Sequence, residues 1–262
     1  MSYINKLQSK LEKDSISINT FNQILEHNDT FFDSVDLQKE LILSNGMALY
    51  FDDKNVYLKT LNTKIKDQVF CIVDIETTAG NATHGQIIEL AAIKIKNNKI
   101  IETYESLVTA SYIPTKVQEI TGITLDMLKD APNLKDVLEE FKLFIEDDVF
   151  VAHNISFDYK FISDSFKKYD LGELFNPKLC TIELAKRTFK ANRYGLKYLK
   201  EEFNIDVPGH HRAYIDTLST VHVFKKSLQS LKNNVNTTQE LIDFSTKAEV
   251  LVPLKVQHQS RC

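Results

Sequence analysis

The stretch VFCIVDIETT, residues 69–78, decides the reading of this chain. Val69 to Val73 are apolar without alternation, the pattern of a strand inside a sheet covered on both faces. Asp74 and Glu76 then interrupt the run near its C-terminal end. Residues two apart on a strand project to the same face, so both carboxylates leave the sheet together. Two like charges beside an apolar core repel each other, and each is costly to desolvate, so a cation is required. A divalent metal held by oxygen ligands is one answer, since Mg²⁺ favours one or two carboxylates plus phosphate oxygens. A solvated strand end with a lysine or arginine partner is the other.

Outward from this strand the pattern is alternating α/β. QIIELAAIKI (86–95) and IIETYESLV (100–108), joined by KNNK, read as a hairpin. An amphipathic helix over 134–145 leads to a short strand, VFVAH (149–153). Helices follow near 157–168, 181–189, 195–203 and 214–231.

Two further polar groups fall at element edges. In HNISFDYKFI (153–162), Ser156 is a plausible N-cap, which puts Asp158 in the first turn of a helix. An acidic residue there offsets the helix dipole and needs no further role. His153 and Asn154 sit at the C-terminal edge of a strand, where α/β folds bind ligands. In HHRAYIDT (210–217), His211 and Asp216 are five residues apart. On one continuous helix their directions would differ by about 140°. They converge only if His211 lies on the loop after Pro208-Gly209 and Asp216 lies inside the following helix. A surface histidine and a helix-start aspartate are the alternative.

Taken together, D-x-E at Asp74-Glu76, N-x-x-F-D at Asn154-Asp158 and H-x-A-x-x-D at His211-Asp216 resemble the DEDDh exonucleases in motif order and spacing. The resemblance covers about residues 68–231 and extends to ITGIT (120–124) and CTIELAKR (180–187). Within that family the chain looks most like the epsilon proofreading subunits of bacterial replicative DNA polymerases. It departs from the usual T-T-G in having Ala79 after Thr77-Thr78, with Gly80 next.

The resemblance implies an RNase H-like mixed sheet flanked by helices. It further implies that Asp74, Glu76, Asp158 and Asp216 hold two Mg²⁺ or Mn²⁺ ions, with His211 as general base on the attacking water. The expected activity is 3′–5′ exonuclease action releasing nucleoside 5′-monophosphates from a DNA 3′ end, single-stranded or frayed, as a proofreading subunit beside a polymerase catalytic subunit. Thr77, Asn154 and Thr121 are the candidates for substrate contacts. An exoribonuclease of the ribonuclease T or oligoribonuclease type shares these motifs, and a non-catalytic polymerase-binding scaffold would lack some of the acidic groups.

Residues 1–66 read as a small α+β module. Ile4, Leu7 and Leu11, then Phe21, Ile24 and Leu25, then Leu37, Leu41 and Ile42 mark three helices, with Gly46 ending the third. Met47, Leu49 and Phe51 alternate as a strand, DDKN turns, and VYLKTL returns as a second. The arrangement is winged-helix-like, and near-balanced charge favours docking over DNA reading. The exonuclease domain is expected over 67–231. Residues 232–262 are expected as a C-terminal tail, in which QELIDF (239–244) loosely resembles a sliding-clamp peptide anchored by Gln239 and Phe244. An ordinary helix is the other reading.

Composition sets the outer bounds. The 262 residues are 43% hydrophobic and 26% charged, with 32 basic against 36 acidic side chains and a net charge of −4. That excludes a disordered tail protein, a collagen-like fibre and a strongly basic nucleic-acid coat. A local basic stretch, Lys186, Arg187, Lys190, Arg193, Lys197 and Lys200, either flanks the site to meet phosphates or covers solvated helix faces. Cys71, Cys180 and Cys262 form no C-x-x-C pair, as expected of thiols in a reducing cytosol. The start, MSYINKLQSKLEK, has no apolar signal core, and no stretch approaches the ~20 apolar residues of a membrane span, so a soluble cytoplasmic protein is expected. Neither G-x-G-x-x-G nor a P-loop occurs, which argues against nucleotide-cofactor chemistry.

Overall fold

The computed structural model describes residues 3–26, 34–209, 211–231 and 234–251. The chain begins with α1 (Tyr3–Leu11), β1 (Ile16–Ser17), α2 (Ile18–Glu26), α3 (Val35–Ser44), β2 (Leu49–Phe51) and β3 (Asn55–Leu58). These strands pair antiparallel in the order β1-β3-β2. Leu7, Leu11, Phe21, Leu25, Ile42 and Val56 form its core, each almost fully buried. The expected second strand stops early. Lys59 to Leu61 form a helical turn, α4 (Lys59–Asn62), because Thr60 is drawn inward against Gln239 of the C-terminal segment.

The larger unit contains β4 (Phe70–Thr77), β5 (Ile87–Lys96), β6 (Lys99–Leu107), α5 (Thr115–Thr121), α6 (Leu125–Leu128), α7 (Leu134–Ile145), β7 (Val149–Ala152) and α8 (Ile155–Lys168). It continues with β8 (Lys178–Cys180), α9 (Thr181–Thr188), α10 (Leu196–Glu202), α11 (Ala213–Gln229) and α12 (Thr238–Lys247). The sheet order is β6-β5-β4-β7-β8, antiparallel across β4-β5-β6 and parallel across β4-β7-β8. The strand register sorts the core by parity. Cys71, Val73 and Ile75 of β4 face α7 and α8 with Phe141, Phe161 and Phe166. Phe70 and Ile72 face α9, α11 and α12 with Leu184, Phe224 and Leu241. β4 is therefore covered on both faces, as its unbroken apolar run requires. Each fully buried Phe or Leu contributes about 1.5–3 kcal/mol.

The module meets the larger unit where asparagine side chains lie against glycine backbone. A Cβ on Gly46 (φ +88°) would lie 2.2 Å from Asn176 Oδ1, and one on Gly172 (φ +87°) 2.3 Å from Asn45 Oδ1. Only glycine fits at either position. Asn45 accepts from the Phe175 N–H at 2.7 Å and from Lys142 Nζ at 3.0 Å, and Lys59 pairs with Asp147.

The described part of the expected C-terminal tail, residues 234–251, packs on the rest of the chain. Its helix α12 carries a Thr237–Glu240 capping box and buries Leu241 completely in the core of the exonuclease-like unit. Gln239 is 6% exposed and accepts from Thr60 Oγ1 at 2.8 Å, while Phe244 packs on the same core. A clamp-bound peptide needs those anchors free, so this segment is a strut between module and sheet rather than a docking peptide. Residue 262, the third cysteine, lies outside the described residues; Cys71 and Cys180 are free thiols. Among the described residues no helix is long and apolar enough to cross a membrane.

Candidate active site

Strand β4 outruns its parallel neighbour. Pairing with β7 ends at Ile72 opposite Val151, so the last residues of β4 project beyond it. Into the opening comes α8. It begins at Ile155 with Asn154 as N-cap, two residues earlier than a Ser156 cap would give. Asn154 takes a left-handed backbone (φ 79°) that asparagine tolerates, and its Oδ1 accepts from Ser156 Oγ at 3.1 Å. The chain thereby turns sharply from β7 into the helix. Asp158, 4% exposed, reaches the backbone N–H of Ile75 and the first turn of its own helix.

On the other side of β4 lies β5. Glu76 is paired with Glu89, and the register then slips so that Thr77 pairs with Ile87, leaving Ile88 as an extra residue. Such a bulge re-aims side chains at a sheet edge. The loop that follows is closed on itself. Thr78 exchanges bonds with Gln86, His84 is held by Asn81, and Gly85 makes room for Ala79, whose Cβ a side chain at Gly85 would approach to 2.6 Å.

The third contributor is the loop into α11. His211 lies on the loop after Pro208-Gly209 in a left-handed conformation (φ 56°), and Asp216 lies inside the helix that starts at Ala213. The His211 backbone N–H donates to Asp216 Oδ2 at 3.0 Å. Convergence of the two, which a single helix would forbid, is achieved in this way. Ligand atoms of Glu76, His211 and Asp216 all lie within 4.8 Å of one another, the spacing of groups that can share one cation.

The electrostatics report the same convergence. Burial, followed by the charges of Asp158, Glu76, Asp216 and Glu89, pushes the Asp74 carboxyl well above its usual range. Burial and the charges of Glu89, Asp216 and Asp158 push Glu76 up to about 8, with Arg212 pulling the other way. Burial pushes Asp158 up to about 7 although two backbone N–H groups favour its charged form. This donor set fits divalent cations. Carboxylate oxygens of Glu76 and Asp216 come within 4.8 Å, Asp158 lies close enough to perturb Glu76 and Asp74, and such hard oxygen donors suit divalent cations.

The substrate-contact candidates are placed unevenly. Thr77 follows Glu76 directly, and its hydroxyl donates to the Ala79 carbonyl at 2.8 Å. Asn154 is exposed at the rim where β7 passes into α8. Thr121 is 5% exposed, and its hydroxyl is committed to the end of α5, donating to Val117 O at 2.9 Å and accepting from the Ile123 N–H at 3.1 Å. The basic stretch divides similarly. Lys186 and Arg187 pair with Glu183, and Lys200 is buried with its ammonium on the Gly209 carbonyl. Lys190, Arg193 and Lys197 are exposed.

A family model described as exonuclease, that of the RNase T group, matches residues 71–224. The chain belongs to this exonuclease family. The exonuclease domain is 42% identical over 184 residues to part of the PolC-type DNA polymerase III of Halalkalibacterium halodurans, covering 70% of this chain and 12% of that protein. It is 36% identical over 184 residues to the corresponding protein of Staphylococcus haemolyticus, covering 69% and 13%. The chain thus spans about an eighth of the length of these relatives. Among solved structures, exonuclease X in complex with 5′ overhanging duplex DNA superposes with a TM-score of 0.52 at 24% identity, over 67% of this chain and 99% of that one. E. coli exonuclease I in complex with a dA16 oligonucleotide gives 0.58 at 16% identity, over 68% and 43%. Both share the fold described above.

The residues that sequence reasoning missed are Glu89 and Arg212. Glu89 is fully buried, and the Arg212 guanidinium forks onto it at 2.7–3.2 Å. The available signal was a lone charge in the apolar run QIIELAAIKI.

Proposed function

We propose that this protein is a metal-dependent 3′–5′ exonuclease that releases nucleoside 5′-monophosphates from DNA ends, acting in the cytoplasm as a proofreading partner of a replicative polymerase. The observation that carries this reading is the convergence of Glu76, His211 and Asp216 within 4.8 Å, beside Asp74 and Asp158, whose carboxyls burial pushes upward.

Asp74, Glu76, Asp158 and Asp216 would hold Mg²⁺ or Mn²⁺, two ions per site, and ions so held would supply Lewis-acid activation of water and charge neutralisation at the leaving 3′ oxygen. The protein's own groups do the rest. Burial of Asp158 and the β4 terminus keeps the carboxylates fixed and poorly solvated, which strengthens their hold on a cation. His211 takes the proton from the attacking water. An imidazole nitrogen is the commonest acceptor of a proton in general-base catalysis. Its loop backbone is tied to Asp216, so base and ligand set move as one unit. Thr77 and Asn154, on either side of the acidic group, contact the terminal nucleotide.

DNA as substrate and a polymerase as partner are supported by the PolC-type relatives, in which a segment like this one is part of a polymerase chain, and by the DNA carried by both structural neighbours. The N-terminal module is a docking element. The helix in the recognition position, α3, carries Asp36, Lys39 and Glu40 and presents no basic face.

The test is digestion of 3′-labelled single-stranded DNA, duplex with a mismatched 3′ end, and RNA, each with Mg²⁺ or EDTA. Labelled 5′-mononucleotide is expected from DNA, faster from the mismatched than the matched end, and none with EDTA. Preferential release from RNA would replace proofreading with RNA processing, and absence of release from all three would overturn the nuclease reading.

A further inference from the structure

Glu89 poses a problem that its neighbourhood solves in an informative way. It is fully buried and sits in register with Glu76 on the adjoining strand, inside an already acidic end of the sheet. A charge placed there needs full hydrogen bonding. Arg212 Nε reaches its two oxygens at 3.0 and 3.2 Å, Arg212 Nη2 reaches Oε1 at 2.7 Å, and the Ala213 N–H reaches Oε2 at 2.8 Å.

The last of these bonds defines the purpose. Ala213 is the first residue of α11, and its N–H has no acceptor inside the helix. The N-cap residue, Arg212, makes no side-chain cap of its own. The cap is supplied by β5, 124 residues earlier in the chain, and it is a carboxylate at the positive end of the helix dipole. The immediate neighbours of the capped position are His211, one residue before Arg212, and Asp216, on the first turn of the helix. The other end of the loop is pinned as well. Lys200 of α10, 6% exposed, donates to the Gly209 carbonyl at 2.9 Å. Buried ion pairs contribute little net stability compared with apolar packing, so the gain from this one lies in geometry.

We infer that Glu89, acting through Arg212 and the Ala213 N–H, is a positioning residue that sets the His211–Asp216 segment against Asp74 and Glu76, with Lys200 fixing the far end of the same loop. The inference rests on the nuclease reading proposed above. It separates the site into groups that touch metal or water and a latch of groups that touch neither. Glu89 and Arg212 are opposite in charge, so the pair holds the helix while adding no net charge beside the four carboxylates.

The experiment compares the full-length parent with Glu89→Gln, Arg212→Lys and Lys200→Met in Mn²⁺-dependent release of mononucleotide, and in the NMR signal of the His211 ring, assigned by its loss in His211→Ala. A misplacement of about 1 Å costs roughly 10²-fold in rate. Glu89→Gln and Arg212→Lys are therefore expected to lower kcat by about that factor with KM within about threefold, and Lys200→Met by about tenfold. The single His211 ring signal of the parent is expected to broaden or divide in each variant. Folded variants with parental kcat and an unchanged ring signal, losing only melting temperature, would overturn the latch while leaving the nuclease reading intact. An inactive parent would overturn the nuclease reading, and the ring signal would still decide whether the latch positions His211. Should Glu89→Gln not fold, Arg212→Lys and Lys200→Met decide.

Discussion

The two ends of the β4–β5 ladder carry buried charge, and they handle it differently. At one end Lys94, with its side chain 8% exposed, is ringed by Asp148 at 3.0 Å, Glu146 at 3.6 Å and Glu102 at 3.7 Å. Three acids meet one ammonium, and even so burial pushes Asp148 up to about 6. At the other end Arg212 is spent on Glu89, Asp74 is pushed well above its usual range, and Glu76 and Asp158 are pushed up to about 8 and about 7. The first end is a closed ionic cluster that stabilises a strand junction. At the second, Arg212 only partly opposes the shift of Glu76, and this pattern is what the proposed metal site rests on.

Substitutions should break this symmetry in function. Asp74→Ala should bring nucleotide release down to the level of the metal-free control, read by product analysis on a clean preparation. Asp148→Ala, at the closed end, should leave kcat within about twofold and instead cost about 3 kcal/mol in denaturant unfolding, since it strips the nearest partner from a buried lysine. Comparable activity in the two variants would erase the distinction. The next largest effect belongs to His211→Ala, expected to lower kcat by about 10²–10⁴ while Mn²⁺ still binds. Turnover at the parental rate would remove His211 from the role of base.

The same contrast predicts an inverted stability profile. Glu76 and Asp158, with ordinary values of 4.5 and 3.8, keep their protons in the folded metal-free protein up to about 8 and 7. Between those limits the folded state binds more protons than the unfolded state, so unfolding free energy falls as pH rises. Melting temperature in EDTA should therefore drop between about pH 5.5 and pH 8.5, and Mg²⁺ should restore it at the upper end, where the carboxylates are ionised and bind metal. A flat profile in EDTA would show that the acidic end carries no excess. The smallest effect is at the strut. Gln239→Ala should cost about 1 kcal/mol by deleting the Thr60 bond, with activity unchanged, because α12 braces the module without entering the site.

Much of the site was legible because it is written locally. Alternation along β4 places Asp74 and Glu76 on one face whatever the rest of the chain does, and Pro208-Gly209 signals the loop that frees His211 from the helical phase of Asp216. Elements whose state depends on distant partners were less legible. Lys59 to Leu61 continue a strand-like run but turn helical because Thr60 meets Gln239, 179 residues away. QELIDF has the residues of a docking peptide and also those of an amphipathic helix, and only the core contact of Leu241 separates the two. Ser156 has the chemistry of an N-cap, yet Asn154 takes the position because the sharp exit from β7 needs a residue that accepts a left-handed backbone. Glu89 and Arg212 show the limit most plainly, since their pairing spans 123 residues and no local pattern couples them.

The central claim is that the acidic end of β4 traps divalent ions. Calorimetric titration of Mn²⁺ into the metal-free protein at pH 7, in two buffers of different ionisation enthalpy, tests it most directly. Saturable binding of two ions with release of protons is expected, with loss of both features in Asp74→Asn. Binding no stronger than that of the variant, or binding without proton release, would contradict it.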